Sequence, residues 1–349
     1  MPYTLPSSIK PFTLDISNED YAKFSQLLEL SRIGPLTYEA SEQNKPKFGL
    51  TIHFVALFST KRDAVPITLL HGWPGSFIEF LPIAGLLREK YPTNDLPYHI
   101  IIPSVPGYTL SSGGPLDREW RVTDSARVLH TLMLELGFDR YIAHGGDVGS
   151  FLATTMAVSY EQCVALHLNV FPSFSIPEEG LNGKELSDSE KKFVERAKLW
   201  AREGNGYAIE HGTRPATIAF AINSNPLSLL AWIGEKFLEW SDQTPSLDEI
   251  LTNVSLYWFT NSFPRSIYPY QASFNKSAEP FPEFPYVVKP VGFSWFMAEI
   301  MPGFQSAIAK RGNLVFHREH AKGGHFAAIE RPKDMLQDIE DFTQLVWQY

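Results

Sequence analysis

The chain has 349 residues, 44% of them hydrophobic, 20% charged and 13% aromatic, a globular composition that excludes disorder and low-complexity function. Lys and Arg number 30 against 39 Asp and Glu, a formal charge of −9, and no basic run gathers the cations that a phosphate backbone demands, so no nucleic-acid partner is expected. The single cysteine, Cys163, rules out an intramolecular disulfide and a cysteine-based zinc site.

The N-terminus lacks an apolar signal region, and no stretch approaches the ~18 uninterrupted apolar residues of a membrane span. A soluble, cytoplasmic protein is the expectation. Residues 1–47 form an N-terminal arm with one predicted helix, Asn18 to Ser31, opened by the cap signal Asn18-Glu19-Asp20. Gly34 to Lys47, polar and interrupted by two prolines, reads as loop. From 48 to 172 apolar runs alternate with helical patterns. Strands are predicted at Leu50–Leu57, Val65–Leu70, Tyr98–Ile102, Arg140–Ala143 and Val164–Val170, each β-branched or aromatic and bounded by Gly, Pro or polar residues. Thr123 to Leu136 predicts a helix whose Ala126, Leu129, Leu132, Met133 and Leu136 share one face and whose stop is Gly137. Gly149 to Tyr160 predicts another. Such alternation implies a mainly parallel sheet covered on both faces, the α/β class. Residues 173–284 are helical and aromatic, as a lid would be. Strand patterns resume in 285–349 at Tyr286–Val288 and Leu314–His317, and the chain closes on a helix, Pro332 to Tyr349.

Three segments carry chemistry. Tyr141-Ile142-Ala143-His144-Gly145-Gly146-Asp147-Val148-Gly149-Ser150 joins a strand to a helix through a turn with small residues two before and two after Asp147. That is the pattern of a nucleophile elbow, with Asp in the place usually held by Ser. A strained turn lifts the side chain at the strand's C-terminal edge, and only small flanks permit so sharp a reversal. Read alone, Asp147 is better explained as a helix cap in a glycine turn. The second segment, His71-Gly72-Trp73-Pro74-Gly75-Ser76-Phe77, follows a core strand and can aim the Trp73 N–H to pair with that of Val148 as an oxyanion hole. The third, Lys322-Gly323-Gly324-His325-Phe326-Ala327-Ala328, puts His325 on a loop leaving the sheet, where a general base can sit. His317-Arg318-Glu319-His320 matches no common zinc spacing and is set aside as a metal site.

These three motifs in order, with Pro103-Ser104-Val105-Pro106-Gly107-Tyr108, Leu229-Leu230-Ala231-Trp232-Ile233-Gly234-Glu235-Lys236-Phe237 and Leu256-Tyr257-Trp258, resemble the microsomal-type epoxide hydrolases, most of all their soluble fungal, Aspergillus-type members. The resemblance implies an α/β-hydrolase core with an inserted helical lid. It also implies hydrolysis of an epoxide to a vicinal diol through an alkyl-enzyme ester on Asp147. His325 would be the general base, Glu299 the acid that orients it, and Tyr207 and Tyr270 the lid phenols that bind the epoxide oxygen, with Tyr268 a near competitor for Tyr270. The residue types suit that chemistry: a carboxylate attacking an sp³ carbon leaves an ester that water can cleave, whereas a serine would leave an ether. Neither metal nor organic cofactor is implied. The expected partners are a small apolar or aryl epoxide and water, with Trp200, Phe220, Trp232 and Phe263 as an aromatic lid surface, and a homodimer by analogy. Detoxification of xenobiotic epoxides is the implied setting.

The sequence departs from the pattern in three places. Members of the family carry a longer segment between the first helix and first core strand than the run from Pro35 to Phe48 supplies, so the arm is expected to be shortened. Val148 stands where mammalian members have Trp, and His144 where relatives often have Gln; His144 is expected to support the site from behind rather than to take part in catalysis. Two rival readings follow: a haloalkane dehalogenase, which needs a halide donor that Val148 cannot be, and a catalytically impaired ligand-binding homologue.

Overall fold

The computed structural model describes residues 17–32, 34, 50–92, 94–114, 118–171, 187–274, 284–301 and 303–347. The N-terminal loop expected at Gly34 to Lys47 lies outside them but for Gly34, as do parts of the expected arm and lid.

In chain order the elements are α1 (Asn18–Leu30), β1 (Phe54–Leu57), β2 (Val65–Leu70), α2 (Leu81–Lys90), β3 (Tyr98–Pro103), α3 (Val122–Glu135), β4 (Tyr141–Gly145), α4 (Val148–Ser159) and β5 (Cys163–Leu168). Seven helices follow without an intervening strand among the described residues: α5 (Asp188–Leu199), α6 (Gly206–Thr213), α7 (Pro215–Asn223), α8 (Pro226–Trp240), α9 (Leu247–Thr260), α10 (Phe263–Ile267) and α11 (Pro269–Phe274). Then come β6 (Val287–Ala298), α12 (Gln305–Ala309), β7 (Gly312–Gly324), α13 (Ala327–Glu330) and α14 (Pro332–Val346).

The strands form one sheet in the order β1-β3-β2-β4-β5-β6-β7, with β1 antiparallel to β3 and every other pairing parallel. Crossover helices bury both faces of the central strands, which is why β2 and β4 are buried at every residue and read as continuous apolar runs. The two faces build separate cores. Leu70, Leu152, Met156 and Leu166 pack on the side of α3 and α4, while Ile67, Leu69, Ile83, Leu87, Ile339 and Phe342 pack on the side of α2 and α14. Adjacent residues Leu69 and Leu70 fall into different cores, as the period of two in a strand requires.

Several boundaries differ from the sequence patterns for identifiable reasons. β1 begins at Phe54, because the Thr51 and His53 N–H groups bond to the Ser112 and Ser111 hydroxyls, at 2.9 and 3.0 Å, rather than to a strand. β6 runs on past Val288 to Ala298; Pro290 and Gly292 break the apolar pattern, and both sit where the register against β7 shifts. Gly292 is required there, since a Cβ would lie 2.6 Å from the Phe342 ring and 2.7 Å from that of His167. β7 likewise continues to Gly324, so His317 and His320 lie three residues apart on one strand and face opposite sides of it. His317 stacks on Phe293, and His320 bonds to Asp338 at 2.6 Å.

A buried polar chain crosses the sheet. His144 Nδ1 lies 2.9 Å from His167 Nδ1, His167 Nε2 lies 3.0 Å from the Ser294 hydroxyl, and that hydroxyl donates to Asp338 on α14 at 2.5 Å. Arg318 and His320 complete the Asp338 carboxylate, each at 2.6 Å. His144 thus packs between β4 and β5, with Phe80 edge-on to its ring, and braces the sheet. No single helix among the described residues is long and apolar enough to cross a membrane; α7 and α8 reach that hydropathy only as a pair bent by 114°.

Candidate active site

Asp147 occupies the turn between β4 and α4 with φ 48° and ψ −129°, a left-handed backbone that costs a non-glycine residue about 1–3 kcal/mol. The flanks show why that conformation holds. A Cβ on Gly145 would lie 2.1 Å from the Gly149 carbonyl oxygen, and one on Gly149 would lie 1.9 Å from that of Leu70. The turn can be this tight only where strand and helix touch backbone to backbone.

One carboxylate oxygen of Asp147, Oδ1, accepts the Trp73 N–H at 2.7 Å. The Val148 N–H is the first of α4 and has no carbonyl within the helix to meet, which leaves it for the same position. The Trp73 turn is fixed from below and above. His71 Nδ1 bonds to the Gly72 carbonyl at 3.1 Å, and its Nε2 accepts the Val105 N–H at 3.1 Å. From α9, Asn253 donates to the Pro74 carbonyl and Tyr257 to that of Gly75, both at 2.7 Å.

The other oxygen, Oδ2, faces His325 Nε2 at 3.4 Å. His325 Nδ1 meets both oxygens of Glu299, at 2.8 and 3.0 Å. Glu299 follows β6 directly, is buried, and its Oε1 also accepts the N–H groups of Ile300 at 2.7 Å and Met301 at 3.2 Å. Burial works against a charged imidazole, but the Glu299 and Asp147 carboxylates outweigh it and hold the His325 pKa well above its ordinary value. The histidine's backbone is also anchored: its N–H donates to the Trp240 carbonyl at the end of α8, at 2.9 Å. Beside it, the Glu330 carboxylate accepts the Asp242, Gln243 and Gly324 N–H groups at 2.7, 2.9 and 3.1 Å, and the Asp242 carboxylate accepts the Gly323 N–H at 2.9 Å.

Tyr207 on α6 and Tyr270 on α11 close the roof. Tyr207 stacks on Trp73 with ring centroids 5.0 Å apart, and Tyr270 stands edge-on to both, at 6.4 Å from Trp73 and 6.3 Å from Tyr207. Burial first, and the Asp147 charge with it, pushes both phenols well above their usual range, so they remain hydrogen-bond donors at any working pH. Lys236 lies 5.0 Å above the Tyr207 ring.

The structure therefore brings Asp147, His325, Glu299, Tyr207, Tyr270 and the Trp73 turn into one cluster. Of the aromatics suggested as a lid surface, Phe220 points to solvent, and Phe263 is buried against the ring of His211. Three residues at the cluster escaped the sequence reading. Glu79 and Asn169 line a small cavity beside Asp147 and His325. His211, four residues after Tyr207 and hence on its face of α6, lies with its ring 4.6 Å from Trp73 and 5.1 Å from Tyr270. Its Nε2 accepts the Trp232 indole N–H at 3.0 Å. The only sequence signals for these were the capping spacing Ser76–Glu79 and the one-turn offset of Tyr207 and His211.

Comparison with known proteins agrees with this geometry. The α/β hydrolase fold family matches residues 65–180, and the epoxide hydrolase N-terminus family matches residues 37–80. The solved structure of Aspergillus niger epoxide hydrolase superposes with a TM-score of 0.81 at 43% identity, covering 97% of each chain. A Dothistroma septosporum relative, provisionally named an epoxide hydrolase, is 37% identical over 99% of this chain and 93% of its own. That alignment runs over 396 positions against a chain of 349, so the relative has residues with no counterpart here. Pig epoxide hydrolase 1 is 30% identical over 98% of this chain and 90% of its own.

The microsomal affiliation drawn from the motifs is thereby corrected. The fungal proteins match at higher identity over nearly the whole chain than the mammalian one. The quoted motifs could not make that distinction, because they belong to the sheet-edge turns and to helices such as α8 and α9 rather than to any membrane anchor. By its fold, its matched families and its near-full-length relatives, the chain belongs to the epoxide hydrolase family of the α/β-hydrolase fold, and within it to the fungal type.

Proposed function

We propose that the enzyme opens small apolar or aryl epoxides in two steps, with Asp147 as nucleophile. Asp147 Oδ2 attacks an epoxide carbon, the C–O bond breaks, and the departing oxygen takes a hydrogen bond and then a proton from the Tyr207–Tyr270 pair. The product of this step is an ester whose carbonyl oxygen is Oδ1. Water, deprotonated by His325 Nε2, adds to that carbonyl; the oxyanion formed at Oδ1 meets the Trp73 and Val148 N–H groups and collapses, His325 giving its proton to the departing alkoxide to release the diol, while the second proton of the water leaves the new carboxyl group and restores the phenol. Glu299 holds the proton of His325 on Nδ1 and steadies the imidazolium.

The observation that carries this reading is the division of labour within one carboxylate: Oδ1 accepts the Trp73 N–H at 2.7 Å while Oδ2 faces His325 at 3.4 Å. Forming the ester also removes the Asp147 charge that helps keep His325 protonated, so alkylation itself turns the histidine toward its role as base. A homodimer and a cytoplasmic setting go with the reading by analogy. The test is diol formation from styrene oxide by the wild type and by Asp147→Ala. Turnover that vanishes in the variant supports the proposal; turnover that persists in a folded Asp147→Ala overturns it, and a wild type inactive on aryl and alkyl epoxides alike does the same.

A further inference from the structure

Ester hydrolysis needs a water molecule held beside both Asp147 and His325, and a base alone does not hold it. A water has two hydrogens: one goes to His325, and the other needs an acceptor if the oxygen lone pair is to point at the ester carbon. Close to Asp147 and His325 the structure has a cavity of about 10 Å³, room for one water. Its walls are Gly72, Trp73, Gly146 and the Phe326–Ala328 turn, and its polar lining consists of Asp147, His325, Glu79 and Asn169. The Asn169 amide lies against the elbow, its Oδ1 2.6 Å from where a Cβ on Gly146 would stand.

Glu79 has a second, structural duty. It is the third residue of a capping box in which its Oε1 accepts the Ser76 N–H at 3.0 Å. That bond takes up Oε1, and Glu79 also lines the cavity. A cap alone does not require a half-buried carboxyl group here, lining the same cavity as Asp147 and His325.

Resting on the two-step reading above, we propose that Glu79, aided by the Asn169 amide, positions the hydrolytic water in this cavity for attack on the Asp147 ester. Glu79 is a positioning residue for the second step and has no part in the first. Burial, with the Asp147 charge added, raises the Glu79 pKa to about 8, against the pull of His325 and the Ser76 N–H. The phenols of Tyr108 and Tyr257 face the same carboxyl group and remain neutral. Esterification of Asp147 removes an influence that raises this pKa and, through the neutralised His325, one that lowers it, so burial continues to favour the neutral carboxyl group.

The test is Glu79→Gln, which keeps an oxygen for the Ser76 N–H, compared with Ser76→Ala, which removes the other half of the cap without touching the cavity. Both are mixed with excess styrene oxide, quenched in acid, and the ester on Asp147 is followed by intact mass, with melting temperature measured alongside. The expected result for Glu79→Gln is alkylation within threefold of wild type, hydrolysis slowed tenfold to a hundredfold, and ester accumulating in the steady state. Ser76→Ala is expected to lower the melting temperature while leaving the ratio of the two rates unchanged. An ester that forms and hydrolyses at wild-type rates in Glu79→Gln overturns the inference and leaves the two-step reading intact. So does a Ser76→Ala variant that accumulates ester to the same extent. A wild type that forms product with no ester on Asp147 at any time overturns both.

Discussion

Replacing Glu299 by Gln changes one atom and, by the geometry around it, the proton on His325, the proposed base. In the wild type Oε1 accepts from Ile300 N–H at 2.7 Å, Met301 N–H at 3.2 Å and His325 Nδ1 at 2.8 Å, while Oε2 accepts from His325 Nδ1 at 3.0 Å. Two of those donors are backbone and cannot turn away. A glutamine must give its carbonyl oxygen to them, which aims its NH₂ group at His325 Nδ1. The carbonyl oxygen can still meet Nδ1, but the NH₂ group in place of Oε2 now competes for that ring nitrogen and favours the tautomer with its proton on Nε2, which cannot take a proton from water. The lost bond to a buried charge is worth about 1.5–3 kcal/mol. The wrong tautomer adds to it, for a slowing of hydrolysis of roughly 10²–10⁴, about 3–5 kcal/mol at 1.36 kcal/mol per decade. Alkylation, which does not use the base, stays within about threefold. Single-turnover stopped-flow with styrene oxide resolves the two steps, because Trp73, whose N–H binds Asp147, reports ester formation and decay. The rising phase is expected to persist and the falling phase to slow. Hydrolysis within threefold of wild type, or equal slowing of both phases, would refute the tautomer argument.

Two further outcomes are expected. Gly149→Ala puts a Cβ 1.9 Å from the Leu70 carbonyl oxygen and should cost at least about 3 kcal/mol, whereas Gly85→Ala in α2 meets nothing within 4 Å and should gain about 0.5–1 kcal/mol; denaturant titrations of the pair give the comparison, and similar stabilities would contradict it. Burial lowers His71 and His167 to about 4 and His211 to about 3 from an ordinary 6.5, so the unfolded chain takes up protons that the folded one refuses. Stability is then full above pH 6.5 and falls toward pH 4, by about 1.4 kcal/mol per pH unit for each histidine. Urea midpoints from pH 7 to pH 4.5 should show the decline, and His167→Gln should flatten it by one proton's worth; a flat wild-type profile would count against it.

The parts of this molecule legible in its sequence are those whose constraint is local. β2 reads off as Val65–Leu70 to the residue, because a strand buried on both faces is a bare apolar run between turns. The elbow reads off because steric crowding admits only small residues at 145 and 149. Where partners come from far along the chain the pattern fails. β6 contains Pro290 and Gly292, tolerated only because the β7 register shifts around them and Phe342 and His167 crowd the glycine. α2, Leu81–Lys90, went unread although Pro82 sits in its first turn and Arg88 and Lys90 in its last. The same distinction holds at the site. Asp147 and His325 carry glycine signatures in their own segments, whereas Glu79 looks like a capping residue and Asn169 like the end of a strand. Their nearness to the reaction centre arises only when the sheet is assembled.

The bond between the Trp240 carbonyl and the His325 N–H, with the Glu330 and Asp242 carboxylates clasping the turns beside it, has a consequence for protein engineering. Selectivity in such folds invites chimaeras, in which the helices between β5 and β6 are exchanged as a cassette. Here one seam of that cassette is sewn to the His325 turn through a main-chain bond and the Glu330 and Asp242 carboxylates, so a splice placed after Trp240 transplants half of the histidine's anchorage and leaves the other half behind. Grafts that stop within α8, ahead of Lys236, or that carry Asp242, Gly323, Gly324 and Glu330 along as a matched set, keep both sides of the seam. Recombinants that ignore it should lose ester hydrolysis before they lose substrate binding.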